Sequence, residues 1–237
     1  MSEITRRQLI ISGGWAHPFE RTTPFLADVL LAAGFESVIA KDLDEAATLM
    51  ANDKFDLVTV YACWFGMVDN RYDSVRSEWA RASSPALRAG IKSHLDDGRG
   101  ILALHTAPIC FDDWSEWSAI VGGKWNWERS WHPKPGQISI EPRGVHPIVQ
   151  GIQPFQIVDE RYTDLDISPD VDVIAWSVAD DQQAAIWTHS IGSARVVYDA
   201  LGHDESSLSN PDHMTLLCRA ALWAANAQNS EVNTFVT

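Results

Sequence analysis

Four short apolar runs separated by segments of helical periodicity occupy the first 105 residues, and they restrict the fold more than any other feature of the sequence. The runs are residues 8–12, 37–40, 57–63 and 100–105, the last reading GILALH. The run 57–63 is β-branched and apolar on both faces, as a strand of a parallel sheet covered on both sides must be. Gly13-Gly14 stops the first run. Pro24, Phe25, Leu26, Val29, Leu30 and Leu31 then recur at helical spacing, with Gly34 at the expected stop. A short helix is predicted over 43–50. Pro85 opens another that runs to about Asp97, and Gly98 closes it. The polar stretch 69–84 reads as an insertion or a partly exposed helix. The order β-α-β-α-β-α-β defines an α/β fold with a doubly wound, mostly parallel sheet flanked by helices. After Trp114 the connections shorten. Strands are predicted at 136–141, 155–162, 171–178, 184–189 and 195–201. Ile191-Gly192-Ser193 makes an antiparallel hairpin of the last two. A helix over 211–226 completes one domain spanning 1–237, with a core at about 8–226 and both termini expected to fray, the tail from Ala227.

Charge narrows the partners. The chain carries 32 acidic against 18 basic residues, a formal charge of −14. No Lys/Arg cluster interrupts this balance, so neither nucleic acid nor an anionic membrane is an expected partner. Cys63, Cys110 and Cys218 are far apart and form no C-x-x-C pair, which fits a reducing compartment. The apolar run behind Arg6 and Arg7 is too short for a secretory signal, so a cytoplasmic location is expected. An apolar edge at 64–67 is a candidate for a homo-oligomer contact or a pocket wall.

Open α/β sheets bind ligands outside the carboxyl ends of their strands. Trp15 and His17 follow the first strand, Trp64 the third, and His105 ends GILALH. His203 and Asp204 follow the strand ending at Leu201, and Asp159-Glu160-Arg161-Tyr162 alternates polar groups on a middle strand. Imidazole serves equally as a proton-transfer group near neutral pH and as a ligand for a divalent metal such as zinc or manganese. His94, His146, His189 and His213 stand in helix, loop or hairpin contexts and read as structural; His17, His105, His132 and His203 are kept. His105 runs straight into T-A-P, so it should project from a sharp elbow. Cys110, five residues on, could act as a nucleophile only if that loop folded back. G-x-S-x-G, Walker A, G-x-G-x-x-G and H-E-x-x-H are all missing from the sequence, and no nucleotide cofactor is expected. Residues 114–131 hold Trp114, Trp117, Trp125, Trp127 and Trp131, five of the chain's eleven tryptophans. Trp114 and Trp117, three apart, read as one helix face packed on the sheet. The other three suit stacking against a sugar.

The pieces GGWAHPFERTTPFLADVL, GILALHTAP, DWSEWSAIVGGKW with its trailing His132-Pro133, HPIVQGI, FQIVDERYTDL, RVVYDALGHDESS and LLCRAALWAAN, in this order, resemble the ThuA-like (trehalose-utilisation) family. The resemblance covers nearly the whole chain and implies a class I glutamine-amidotransferase-like fold. It also implies that the amidotransferase cysteine is replaced by His105, so glutamine hydrolysis is not expected. The implied activity is acid/base cleavage of a 3-keto-glycoside, a keto-disaccharide, by elimination or hydrolysis, with a divalent metal as candidate cofactor and a small sugar as substrate. A non-catalytic carbohydrate- or metabolite-binding domain is the alternative. Under the resemblance His17, His132 and His203 with Glu160 form the ligand or acid/base set, and His105 lies beneath as base or orienting group. Asp204 orients an imidazole, while Trp15, Trp64, Trp125, Trp127, Trp131 and Arg161 contact substrate. This chain has DERY where many relatives have DELY, and its WNWERSW segment is its own.

Overall fold

The computed structural model describes residues 6–237. Its elements run β1 (Arg6–Gly14), α1 (Phe19–Leu31), β2 (Phe35–Ala40), α2 (Leu43–Asn52), β3 (Leu57–Cys63), α3 (Arg76–Trp79), α4 (Pro85–Asp96) and β4 (Gly100–Leu104). There follow α5 (Trp117–Val121), β5 (Gly123–Lys124), β6 (Gly136–Pro142), β7 (Phe155–Asp159), β8 (Asp166–Ile167), β9 (Asp172–Val178), β10 (Gln182–Ile191) and β11 (Ala194–Asp199). Three helices, α6 (Glu205–Leu208), α7 (Pro211–Ala224) and α8 (Asn229–Thr234), close the chain. Nine strands form one sheet in the order β2-β1-β3-β4-β11-β10-β9-β6-β7, and β5 pairs with β8 separately.

Every residue of β3 and β4 is buried, as their unbroken apolar runs require. One face of the sheet carries Ile10, Leu102 and Val197 against α1 and α7. The other carries Leu9, Val60 and Ala103 against α2, α4 and Trp117. Local signals set the helix starts. Asp42, Ser84 and Asn210 each accept backbone N–H groups at the first turn of α2, α4 and α7, and prolines open the last two.

The strand directions explain where the site forms. β2, β1, β3, β4 and β11 are parallel, and β11-β10, β10-β9, β9-β6 and β6-β7 are each antiparallel. Four reversals return β7 to the direction of β4. Its carboxyl end therefore opens on the same edge of the sheet as those of β1, β4 and β11.

Four expectations are corrected. The strand predicted over 155–162 ends at Asp159, where the Asp159 side chain accepts the Glu160 N–H and takes the chain off the ladder, and it lies at the sheet's edge rather than its middle, since among the described residues it pairs with β6 alone. Trp114 lies in a turn before α5 and only Trp117 is helical; the two rings still stack, centroids 5.9 Å apart, in the core. The tail from Ala227 is not frayed: α8 buries Val232 completely, and the Arg219 guanidinium donates to the Phe235 carbonyl at 2.9 Å. Residues 1–5, also expected to fray, lie outside the described residues. The edge at 64–67 is not exposed, since Trp64, Phe65 and Met67 are all buried. Among the described residues no helix is long and apolar enough to cross a membrane.

Candidate metal and acid/base centre

The chain leaves three of the strands that feed the site, β1, β4 and β11, through left-handed backbone. Gly13 and Gly14 both have positive φ, and a Cβ on Gly14 would stand 2.3 Å from the Cys63 carbonyl oxygen, so only glycine lets β1 turn there beside β3. His105 follows β4 with φ 48°, a left-handed conformation rare for a side chain of its size. The elbow is pinned on both sides. The His105 N–H donates to the Asp199 carbonyl at 2.7 Å, and the Tyr198 hydroxyl donates to the His105 carbonyl at 2.8 Å. Gly202, with φ 112°, delivers His203 from β11.

Four side chains converge at this edge: one nitrogen each from His17, His105 and His203 and one oxygen from Glu160, all within 4.8 Å of one another. Nε2 of His17 lies 3.2 Å from Nε2 of His105. Glu160 Oε2 stands 3.4 Å from His105 Nε2, 3.3 Å from His203 Nδ1 and 4.0 Å from His17 Nε2. Backbone carbonyls fix the tautomers. His17 Nδ1–H donates to the Trp15 carbonyl at 3.0 Å and His105 Nδ1–H to that of Ala200 at 2.8 Å. In their neutral forms both rings must then turn an Nε2 lone pair toward the other, a contact that is repulsive unless a cation or a proton lies between them.

This donor set fits a divalent cation. Glu160 Oε2 and His203 Nδ1 are buried and, though 3.3 Å apart, neither makes a well-formed hydrogen bond, so both are left facing the shared space. Imidazoles whose other nitrogen donates to a carbonyl are the usual form of a histidine ligand. Burial, with the neighbouring His105, lowers the pKa of His17 to about 3 and keeps it a lone-pair donor at neutral pH. Burial alone would raise the Glu160 carboxyl, but His105 and His203 beside it outweigh this and hold it well below the carboxylate range. For His203 burial disfavours the charge, and the Glu160 carboxylate more than offsets that, raising its pKa.

The remaining candidates fall in different places. His132 touches the site from the rim, its Nδ1 3.3 Å from Glu160 Oε1 and 3.0 Å from the Pro133 carbonyl. It is exposed and stands outside the four-donor group, whereas His105, expected beneath the site, is one of the four. Trp125 lies edge-on to Tyr162 and His132, with centroids at 5.3 and 5.9 Å. Trp127 is 39% exposed and stacks on Phe65; Trp131 is 52% exposed. Trp15 packs edge-on against Trp79, and the buried Trp64 donates its indole N–H to the Ser12 carbonyl. Arg161 turns away: residues 160 and 162 face the cluster, and the intervening guanidinium bonds Asp181 and its carbonyl instead. The Glu160 carboxylate contacts the histidines and not Arg161, whose ion pair is with Asp181. Asp204 does not orient His203 either, because its carboxylate caps α6 by accepting the Ser206 and Ser207 N–H groups. Cys110 is buried with its thiol on the Ala62 carbonyl, and burial pushes its pKa up to about 12, so it is no nucleophile.

Two residues of the site carried no signal of their own in the sequence. Tyr162 is buried, with its hydroxyl 3.4 Å from His105 Nε2. Asp159, also buried, accepts from the N–H of Glu160 and Gly202 at 2.7 Å, from that of His203 at 3.3 Å, and from the Ser207 hydroxyl. One carboxylate thus holds the two loops that carry Glu160 and His203. Their only trace was DERY, where Glu160 and Tyr162 share a face and Asp159 precedes them.

His94 and His189 bond the carbonyls of Gly100 and Ile120, and His146 packs edge-on against Trp223. His213, fully buried, faces Asp199 with Nε2 at 3.2 Å from its carboxylate. Burial lowers its pKa, but the charge of Asp199 and the bonds to Asp199 and Ser207 outweigh this, so the folded value is raised. A raised folded pKa stabilises the fold fully below the ordinary histidine value of about 6.5 and ceases to do so as pH rises through the folded value. Urea denaturation across pH 6–10 should show an alkaline loss of stability for wild type that His213→Gln, less stable at pH 6, lacks; parallel curves would refute the assignment.

A doubly wound α/β scaffold with a histidine–carboxylate centre at the carboxyl edge of its sheet is the class to which this molecule belongs. Within it, the chain is a member of the ThuA family, described as trehalose utilisation, whose model matches residues 7–224. A ThuA-like protein from Parabacteroides merdae ATCC 43184 superposes with a TM-score of 0.70 at 18% identity, over 93% of this chain and 90% of that one. Another from Bacteroides uniformis ATCC 8492 gives 0.68 at 15% identity, over 97% and 96%. A cytoplasmic protein from Salmonella typhimurium LT2 gives 0.64 at 12%, over 92% and 99%. These likenesses establish the fold. No curated protein matches the chain.

Proposed function

We propose that this protein cleaves a 3-keto-glycoside by acid/base elimination at the cluster of His17, His105, Glu160 and His203, which holds a divalent cation. The observation that supports this reading is the pair of unsatisfied buried atoms, Glu160 Oε2 and His203 Nδ1, beside two histidine lone pairs turned toward one another. A bound cation would supply positive charge to the ketone oxygen as it gains negative charge. His132 carries the proton. Its Nδ1–H is held between the Pro133 carbonyl and Glu160 Oε1, which leaves Nε2 free to take the hydrogen from C2, acidified by the adjacent ketone. The C2 electrons form the C1–C2 double bond as the C1–O bond breaks, and the same imidazole returns its proton to the departing oxygen. Trp125, beside His132, offers the apolar face for the keto-sugar ring.

The test is metal analysis of purified protein together with turnover of 3-keto-trehalose and 3-keto-sucrose, for wild type and His203→Ala. Stoichiometric metal and turnover, both lost in the variant, are expected. Turnover without metal would keep the acid/base chemistry and remove the ligand assignment. Sugar binding without turnover would favour a carbohydrate-binding domain.

A further inference from the structure

Beside the cluster lies a cavity of about 620 Å³ at the carboxyl ends of β1, β2 and β3. It sits at the switch point of the sheet, where the chain winds from β1 outward to β2 on one side and inward through β3 on the other. His17 lines this cavity, while its Nε2 faces His105 and Glu160. The cavity and the cluster therefore share His17 and are neighbours.

The wall is aromatic and aliphatic: Phe19, Ile39, Trp64 and Trp79 line it, and the Trp64 and Trp79 rings stack with centroids 6.2 Å apart. Its inner polar groups are already occupied. The Ser12 and Thr23 hydroxyls bond one another at 2.5 Å, the Trp64 indole N–H donates to the Ser12 carbonyl at 2.9 Å, and Gly13 and Gly14 are paired along β3. The charged residues of the lining, Glu20, Arg21 and Lys41, are exposed, which confines them to the rim. A second hexose would have to leave several hydroxyls unpaired against such a wall, at a cost for each. An apolar ring has nothing to lose there, and a mostly apolar cavity of this size is the ordinary form of a small-molecule site.

We infer that this cavity is the leaving-group subsite and takes an aromatic or other apolar aglycone, making aryl-type 3-keto-glycosides the preferred substrates over keto-disaccharides. The inference rests on the proposed keto-glycoside chemistry for its catalytic meaning, and on the cavity alone for binding. Two measurements separate these. Calorimetric titration with unoxidised p-nitrophenyl glucoside reads the cavity without chemistry; wild type should bind, while Trp79→Ala and Ile39→Phe, the second filling the space without removing a wall, should weaken binding by about tenfold. The ratio of kcat/KM for p-nitrophenyl 3-keto-glucoside over 3-keto-trehalose should be about tenfold in wild type and near one in Ile39→Phe. Binding that follows these variants with no turnover of either substrate would sink the proposed reaction and keep the subsite. Turnover of 3-keto-trehalose equal to or better than that of the aryl substrate, or aryl binding unaffected by both variants, would overturn the subsite and keep the reaction.

Discussion

Under the proposed function, Glu160→Gln is expected to abolish metal binding and to lower kcat/KM on the 3-keto-glycoside by at least about 10²-fold, the scale expected when a ligand or proton-handling group is removed. Glutamine keeps the shape and removes the negative charge that a cation held among the three imidazoles would need. Its amide would also turn either an N–H toward a histidine lone pair or a neutral oxygen toward a site built for an anion. The same change carries a pH signature in metal-free protein. The folded Glu160 carboxyl titrates below its ordinary value, so its stabilisation is complete above about pH 4.3 and is lost as pH falls through the folded value. Wild type should therefore be more stable than Glu160→Gln at pH 6, with the gap closing on acidification. Metal analysis, steady-state kinetics and denaturation at several pH values test this. A variant that retains metal and turnover would remove Glu160 from the centre.

Asp159→Asn is expected to reduce stability by about 2–5 kcal/mol and to weaken metal binding by about tenfold or more. The carboxylate receives four donors from three segments, the N–H groups of Glu160, Gly202 and His203 and the Ser207 hydroxyl, and it is almost fully buried. Asparagine offers one acceptor oxygen and turns an NH₂ toward backbone N–H groups that cannot accept it. The loops bearing Glu160 and His203 then lose their common anchor. Asp170→Asn, at an exposed position, supplies the comparison and should change neither quantity. If metal affinity in Asp159→Asn matched wild type at temperatures where both are folded, Asp159 would be an ordinary stabilising group and not a positioning one.

The fold was legible because its strongest signals are local. Apolar runs that cannot face water on either side, glycines at helix stops and prolines at helix starts each name an element without reference to the rest of the chain. The site was legible only in part. His17, His105 and His203 follow strands whose carboxyl ends share an edge, and strand order places them together. Glu160 was joined to the histidines only through the family resemblance, because its approach depends on four antiparallel reversals, of which a local pattern marked only the hairpin at Ile191-Gly192-Ser193. Adjacency misled at Asp204, where a helix start beside His203 claimed the carboxylate. Alternation misled at Arg161, which its extended backbone turns to the opposite side. Asp159 and Tyr162 were hidden for a different reason: their roles consist of bonds to backbone or contacts with rings supplied by distant segments.

His17 and His203 stand near opposite ends of the chain, and the residues between them pass through nearly the whole sheet before the two imidazoles meet. Contacts of that range form late, after the entropy of closing every intervening loop has been spent. The centre therefore cannot act as a nucleus around which the chain gathers, as a short zinc-binding loop does. A metal held at the proposed centre would enter a finished protein, and its uptake after dilution from denaturant should lag the recovery of the burial of Trp187, deep in the sheet.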